Sequence, residues 1–280
     1  MRGKQGMDLM SEVVLITGAS SGIGKAAAKL LLLRGYKVYA GARRVDNLKE
    51  LEYLGARIMR LDVTEEDSLK SAVQSVIDGE GRLDILINNA GYGANGAVED
   101  IPMAEARRQF DVNLFGLARL TQLVLPAMRA RGSGKIVNIS SIAGKISMPL
   151  GGWYNASKHA LEAYSDALRL EAGRYGIKVI LIEPGAIKTE WDNVALVNLA
   201  KYSGSGPYAA MTEKLTGRFR AAYRKSAPGP EVVAEVVLRS LRAARPAARY
   251  AVPFQSRVLL FLKRALPDRV WDAVINYLLR

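Results

Sequence analysis

Short β-branched and aliphatic runs alternate along the first 190 positions with longer stretches whose apolar residues recur at helical spacing. The runs Val13–Thr17, Lys37–Gly41, Arg57–Leu61, Asp84–Asn88, Lys135–Ile139 and Lys178–Glu183 predict strands. Ile23–Arg34, a helix near Leu48, Ser68–Ile77, Ala104–Arg129 and Tyr154–Tyr175 predict the helices between and after them. Strands and helices alternating at this spacing imply right-handed βαβ crossovers. The expected fold is therefore α/β, a doubly wound parallel sheet with helices on both faces. Residues 191–227 read as irregular or helical, with several Gly and Ser. A helix at Glu231–Arg242 and a strand at Arg249–Val252 follow, and then two basic amphipathic segments interrupted by Pro267. In the second of these, Trp271, Val274, Ile275 and Leu278 fall at i, i+3, i+4 and i+7, one stripe of a helix. One domain over 1–253, with a substrate-binding insertion at about 191–227, and a helical extension over 254–280 are expected.

Composition narrows the chemistry. The 280 residues are 49% hydrophobic and 24% charged, enough apolar material for a large core. There is no cysteine, which excludes disulfides, thiolate nucleophiles and Cys-ligated metals, and the single histidine, His159, argues against a His-ligated metal or a Ser-His-Asp hydrolase. The longest apolar run, Val258–Leu262, is far short of the ~20 residues of a membrane-spanning helix. The start, MRGKQGMDLM, has no apolar stretch of signal-peptide length, so a cytoplasmic location is expected. Of the net charge of +13, residues 191–280 hold +9 (15 Lys/Arg against 6 Asp/Glu).

Directly after the first predicted strand comes Thr17-Gly18-Ala19-Ser20-Ser21-Gly22-Ile23-Gly24, opening a helix. Glycines at such a turn let backbone approach a pyrophosphate, and the helix N-terminus offers free N–H groups and a positive dipole end. The spacing is G-x-x-x-G-x-G, a different register from the common G-x-G-x-x-G. A tight turn without a ligand would use the same residues, but the strand before and the helix after favour a nucleotide. NAD-binding folds place an acidic residue about 20 residues beyond the turn for the ribose hydroxyls. Here the chain reads Gly41-Ala42-Arg43-Arg44. Two guanidiniums suit a 2′-phosphate, so NADP(H) is favoured over NAD(H). The alternative makes them solvated charges and Asp46 the ribose ligand, although Asp46 is better placed to N-cap the helix near Leu48.

Tyr154 and Lys158 stand at i and i+4, on one face of a helix one turn apart. A neighbouring cation favours phenolate and would lower the phenol pKa, which suits proton donation to a carbonyl where histidine is lacking. A surface Tyr/Lys pair is the plain alternative. Ser141 follows the fifth strand, at the carboxyl edge where ligands of such sheets sit.

Together Thr17–Gly24, Asn88-Asn89-Ala90-Gly91, Ser141, Tyr154/Lys158 and Pro184-Gly185 resemble the short-chain dehydrogenase/reductase family, over about residues 12–190. The resemblance implies a Rossmann-like sheet of seven strands, hydride transfer between a nicotinamide cofactor and an alcohol/ketone pair, and a homodimer or homotetramer built on two long helices. It implies Tyr154 as general acid/base, Lys158 holding the nicotinamide ribose, Ser141 steadying the substrate oxygen, and Asn113, in a helix interruption, holding a relay water. Asn113 could otherwise be an ordinary helix-surface residue. By the same resemblance Asp62 and Val63 meet the adenine, Asn89 lies against the cofactor or buttresses the fourth strand, and Ile187 and Thr189 follow Pro184-Gly185 to the carboxamide and phosphates. Asp62 alone could equally cap the next helix. The run Gly152–Gly185, especially Ser157–Ser165 and Leu168-Arg169-Leu170-Glu171, is similar to the hydroxysteroid and retinol dehydrogenase subgroup, which implies a hydrophobic alcohol or ketone. Met148, Trp153 and Trp191 are the expected pocket walls. His159, about 100° round the helix from Lys158, reads as structural. The basic C-terminal helices admit three readings: self-packing as a lid, which ranks first, peripheral membrane contact, or an acidic partner. Nucleic acid ranks last, since a pI of about 9.9 supplies only non-specific attraction.

Overall fold

The computed structural model describes residues 12–225 and 227–279, with backbone only at 191–193, 222, 224–225 and 278–279. The expected roles of the first ten residues and of the Trp191 and Leu278 side chains therefore lie outside the described residues.

Seven strands, β1 Val13–Thr17, β2 Lys37–Ala42, β3 Arg57–Arg60, β4 Ile85–Asn88, β5 Gly134–Ile139, β6 Ile177–Pro184 and β7 Arg249–Val252, form one parallel sheet in the order β3-β2-β1-β4-β5-β6-β7. The helices are α1 Gly22–Leu33, α2 Lys49–Tyr53, α3 Glu66–Glu80, α4 Met103–Phe110, α5 Leu117–Ala130 and α6 Gly152–Gly173. After β6 come α7 Glu190–Ser203, α8 Ala209–Lys225 and α9 Glu231–Arg242, and after β7 come α10 Phe254–Ala265 and α11 Asp268–Leu279. The doubly wound α/β expectation is what the chain adopts.

Alternation along β1 shows why both faces are covered. Val14 and Ile16 join a core with Ala27 and Leu31 of α1 and Val237 of α9. Val13 and Leu15 point the other way, to Val76 of α3, Leu120 of α5 and Leu168 of α6. From β1 the chain winds out to β3, then returns to β4 and winds the opposite way. The carboxyl ends of β1 and β4 thus border the crevice where open α/β sheets take ligands.

Two predicted elements differ. The helix expected over Ala104–Arg129 is α4 and α5 joined by one π-helical stretch, Asp111–Gly116. The stretch ends at Gly116, where a side chain would run into the Val63 carbonyl, so the helix packs closely on the loop that follows β3. Residues 191–227 are mostly helical, because the Gly and Ser that make the sequence look irregular fall largely in the break between α7 and α8. In the extension, Trp271 and Ile275 bury against Ile146, with Leu259, Leu260 and Leu266 packed around them, as self-packing predicts. Val274 of the same predicted stripe stays 38% exposed. Among the described residues no helix is long and apolar enough to cross a membrane.

Leu120 is fully buried and Leu33 is 66% exposed. Leu120→Ala is expected to cost about 2–5 kcal/mol in urea unfolding, against less than about 0.5 kcal/mol for Leu33→Ala; similar losses would contradict this core assignment.

Candidate active site

The glycine turn is pinned to β4 by polar contacts. The Thr17 hydroxyl accepts from the N–H groups of Asn89 and Ala90, both at 3.0 Å, and the Asn89 carboxamide donates to the carbonyls of Thr17 and Gly18, both at 3.0 Å. Of the two roles open to Asn89, the buttress is seen directly. Gly18 adopts φ +67°, and a Cβ there would lie 2.9 Å from the Ala90 Cα, so only glycine fits. Gly24 is buried behind the turn, where a side chain would collide with Asn89 and the Gly18 carbonyl; it permits close packing and does not line the cavity. At the start of α1, Ser21 makes no side-chain cap and the first turn holds no acidic residue. The positive helix end therefore faces a cavity of about 850 Å³ lined by Gly18, Ser20, Ser21, Gly22 and Ile23.

Arg43 and Arg44 line the same cavity beyond β2 and are exposed. Arg44 pairs with Glu190 at 3.5 Å. The capping role expected of Asp46 is not found. Asp46 lies inside a 3₁₀ turn, Val45–Leu48, whose N-cap is Arg44, and its side chain is 90% exposed beside Lys49. The 3₁₀ turn starts at Val45, two residues earlier than a helix capped by Asp46 would, which carries Asp46 past the capping position. Asp62 and Val63 also line the cavity. Asp62 does not cap α3, whose N-cap is Glu65; its carboxylate accepts from the N–H and hydroxyl of Thr64 at 3.0 and 2.8 Å. Burial raises the Asp62 pKa, but these bonds and the Arg43 charge outweigh it and leave the carboxyl below its ordinary value.

Ser141, Tyr154 and Lys158 meet where β5 ends. The Ser141 hydroxyl accepts from the Ala143 N–H at 3.1 Å, donates to the Pro184 carbonyl at 3.3 Å, and hydrogen-bonds the Tyr154 phenol. The Lys158 ammonium is buried, donates to the Ile139 carbonyl at 2.9 Å, and stands 6.0 Å from the centre of the Tyr154 ring. The expected lowering of the phenol pKa is absent in the protein alone. Burial pushes Tyr154 up to about 12, and only the Ser141 bond opposes it. The i, i+4 spacing brings the two groups to one face, but Lys158 reaches past the ring to the β5 backbone. Burial also pushes Lys158 down to about 8, against the Glu162 charge.

Asn113 sits in the π-helical stretch and is buried, which removes its helix-surface alternative. Its carboxamide exchanges hydrogen bonds with the Tyr92 backbone at 2.9 and 3.0 Å and donates to the Ser157 hydroxyl at 3.1 Å, tying the loop after β4 to α6 just outside the cavity lining. After β6, Pro184, Gly185, Ile187 and Thr189 all line the cavity. Met148 is a wall as expected, whereas Trp153 is not: its indole N–H turns to the Val98 carbonyl at 3.3 Å. His159 is exposed, with Nδ1 2.9 Å from the Asn155 carbonyl.

A buried acidic pair escaped the sequence reading. Glu162 lies one turn beyond Lys158, and Glu183 immediately precedes Pro184. Both are buried around Arg249, which reaches Glu162 at 2.9 Å and Glu183 at 3.4 Å, with Lys145 and Asp166 at the edge. Burial first, and then the Glu162 charge, push Glu183 up to about 7. A polar chain was missed too: Asn88 donates to Asn138 at 2.9 Å and Asn138 to Ser165 at 2.9 Å, crosslinking β4, β5 and α6 below the site. The only trace of either is polar residues interrupting apolar strands.

The family described as short chain dehydrogenase matches residues 12–196. The chain belongs to the short-chain dehydrogenase/reductase family. It is 39% identical over 264 residues to a probable short-chain type dehydrogenase/reductase, VdlC, of Helicobacter pylori, covering 94% of this chain and 96% of that one. It is 34% identical to an NADPH-dependent 3-dehydrocapnine reductase of Ornithobacterium rhinotracheale, covering 93% and 94%. A short-chain dehydrogenase of Streptomyces avermitilis has the same fold at a TM-score of 0.80, with 33% identity over 95% of this chain and 96% of that one. As a short-chain dehydrogenase the protein is an NAD(P)-dependent oxidoreductase. Its residues fit such a dinucleotide: a helix N-terminus with no side-chain cap and no acidic residue in its first turn, and two guanidiniums, face one large cavity.

Because Glu183 binds its proton more tightly in the fold than its ordinary value of 4.5 allows, stability falls as pH rises through the window from about 4.5 to 7. Glu183→Gln is expected to raise the melting stability at pH 8 by about 1–3 kcal/mol and to change it little at pH 5; an equal effect at both pH values would contradict the shift.

Proposed function

We propose that this short-chain dehydrogenase is a cytoplasmic NADP(H)-dependent enzyme that interconverts a lipophilic alcohol and its ketone or aldehyde, with Tyr154 as general acid/base. The observation that carries the reading is that Tyr154, Ser141 and Lys158 line the same cavity as the uncapped start of α1 and the Arg43–Arg44 pair. The far wall, with Met148, Leu150, Leu199, Leu215 and Phe219, is apolar, which supports a lipophilic substrate. The Ornithobacterium relative is an NADPH-dependent reductase, which supports the same cofactor here.

In this reading Gly18, Ser20, Ser21, Gly22 and Ile23 hold the pyrophosphate, with Gly24 packing the turn, and Arg43 and Arg44 clamp the 2′-phosphate. Asp62 and Val63 take the adenine, and Asn89, Lys158, Pro184, Gly185, Ile187 and Thr189 the nicotinamide half. When bound, the nicotinamide supplies or accepts the hydride. The protein's own part is proton control. A phenol raised to about 12 stays protonated at neutral pH, the state a donor to a carbonyl oxygen needs. As that oxygen gains charge, Tyr154 passes it the proton and Ser141 donates a hydrogen bond to it. The buried Lys158 cation then favours the phenolate left behind. Asn113 holds Tyr92 and Ser157 in register beside the reacting groups and keeps its proposed place in a water relay. The assembly proposed is a homodimer or homotetramer on the long helices, where a second copy would cover the exposed Phe115 and Leu170.

Tyr154→Phe is expected to lower kcat about 10³-fold with NADPH affinity changed less than about threefold; activity within tenfold of the parent would remove the acid/base role. Arg43→Ala is expected to weaken NADPH binding about 10–100-fold, the value of a charge-assisted hydrogen bond, and to leave NADH binding nearly unchanged. Equal losses for both dinucleotides would contradict the phosphate clamp.

A further inference from the structure

The two C-terminal helices have an apolar face too many. In α10, Ser256, Leu259, Leu260 and Lys263 form the inward stripe, and Leu259 reaches the wall of the cavity. At about 100° per residue, Phe254, Val258, Phe261 and Leu262 lie on the opposite side. Phe254 is 70% exposed and Phe261 69%. In α11, Trp271 and Ile275 are buried, while Val270, Val274 and Tyr277 are exposed. A helix that served only its own core would carry polar residues outward. Adjacent exposed apolar side chains of this size mark an interaction surface.

Charge tells which surface they meet. Helix α10 contains no acidic residue, and Arg257 and Arg264 flank its exposed stripe one side round from Phe254 and Phe261. The extension, residues 254–280, holds five Lys/Arg against Asp268 and Asp272, a net +3, with both carboxylates on α11. A second copy of the chain would bring the same positive charge against it, and like charges oppose that pairing. An anionic bilayer offers the complement: acyl chains for the aromatic stripe and phosphates for arginines, whose long stems let the guanidinium reach the headgroups.

We propose that the outward faces of α10 and α11 dock peripherally on an anionic lipid surface, with Phe254, Phe261 and Tyr277 entering the headgroup boundary and Arg257 and Arg264 meeting lipid phosphates. Because the inner side of α10 is itself part of the cavity wall, docking would set that wall against the bilayer. Membrane docking stands whether or not the substrate is lipophilic.

The test is co-sedimentation of the full chain with vesicles of phosphatidylcholine alone and of phosphatidylcholine with phosphatidylglycerol, in low and high salt. The expected result is binding to the anionic vesicles, at least tenfold weaker with phosphatidylcholine alone, reduced by salt, and lost in Phe254→Glu/Phe261→Glu. That variant should keep the parent melting temperature, and Arg257→Gln/Arg264→Gln, which leaves the apolar stripe intact, should weaken binding at low salt. No sedimentation with the anionic vesicles, or sedimentation unaltered by either variant, would overturn the proposal. So would a parent dimer that the aromatic variant converts to monomer without vesicle binding, which would assign the face to a second copy.

Discussion

A single buried ammonium organises the candidate active site of this protein. Lys158 is withdrawn from water into the angle between α6 and the end of β5, where the Ile139 carbonyl accepts its hydrogen bond and the Glu162 carboxylate supplies the opposing charge. Burying a cation is costly unless it is bonded and partnered, so the elements that provide the bond and the charge must stay in place. That constraint fixes the pitch of α6 against the sheet and hence the position of Tyr154 one turn earlier. It also couples the site to the edge of the sheet, because Glu162 is held in turn by Arg249 on β7.

The surrounding polar groups extend the same principle. Ser141 hangs from the Pro184 carbonyl, and Glu183 lies just before that proline, so a side-chain hydrogen bond joins the ends of β5 and β6. On the other side of the crevice Thr17 and Asn89 join β1 to β4, and Asn113 joins the loop after β4 to α6. Thr17, Asn89, Asn113 and Ser141 each bond backbone across the crevice, so its two sides are joined by polar contacts as well as by the sheet.

Much of this was legible in the sequence, for identifiable reasons. Strand and helix alternation is a periodic signal, so β1, α9 and β7 emerge close to their true bounds. The glycine turn, Arg43–Arg44 and the Tyr154/Lys158 pair are local spacings, and local spacing survives folding. What was lost depends on contacts distant in sequence. Gly116 packs on Val63, a contact distant in sequence that helical periodicity does not show; only the family resemblance points to the helix interruption at Asn113. Glu162, Glu183 and Arg249 come from three elements, and no motif joins them. The direction of the Tyr154 shift failed because sequence gives the neighbour, Lys158, but not the burial that outweighs it. Trp153 and Asp46 failed through local geometry: one indole turned to the Val98 carbonyl, and one turn began two residues early.

The proposed acid/base chemistry needs a phenol that the fold alone keeps protonated and that neighbouring positive charge brings within reach of ionisation. Ultraviolet difference titration of the parent against Tyr154→Phe isolates that one group among 12 tyrosines. Without dinucleotide, no Tyr154 ionisation is expected below about pH 10; with NADP+ added, whose nicotinamide would bring a positive charge into the cavity that Tyr154 and Lys158 line, ionisation is expected below that pH. A Tyr154 that ionises at the same pH with and without the dinucleotide would contradict the account.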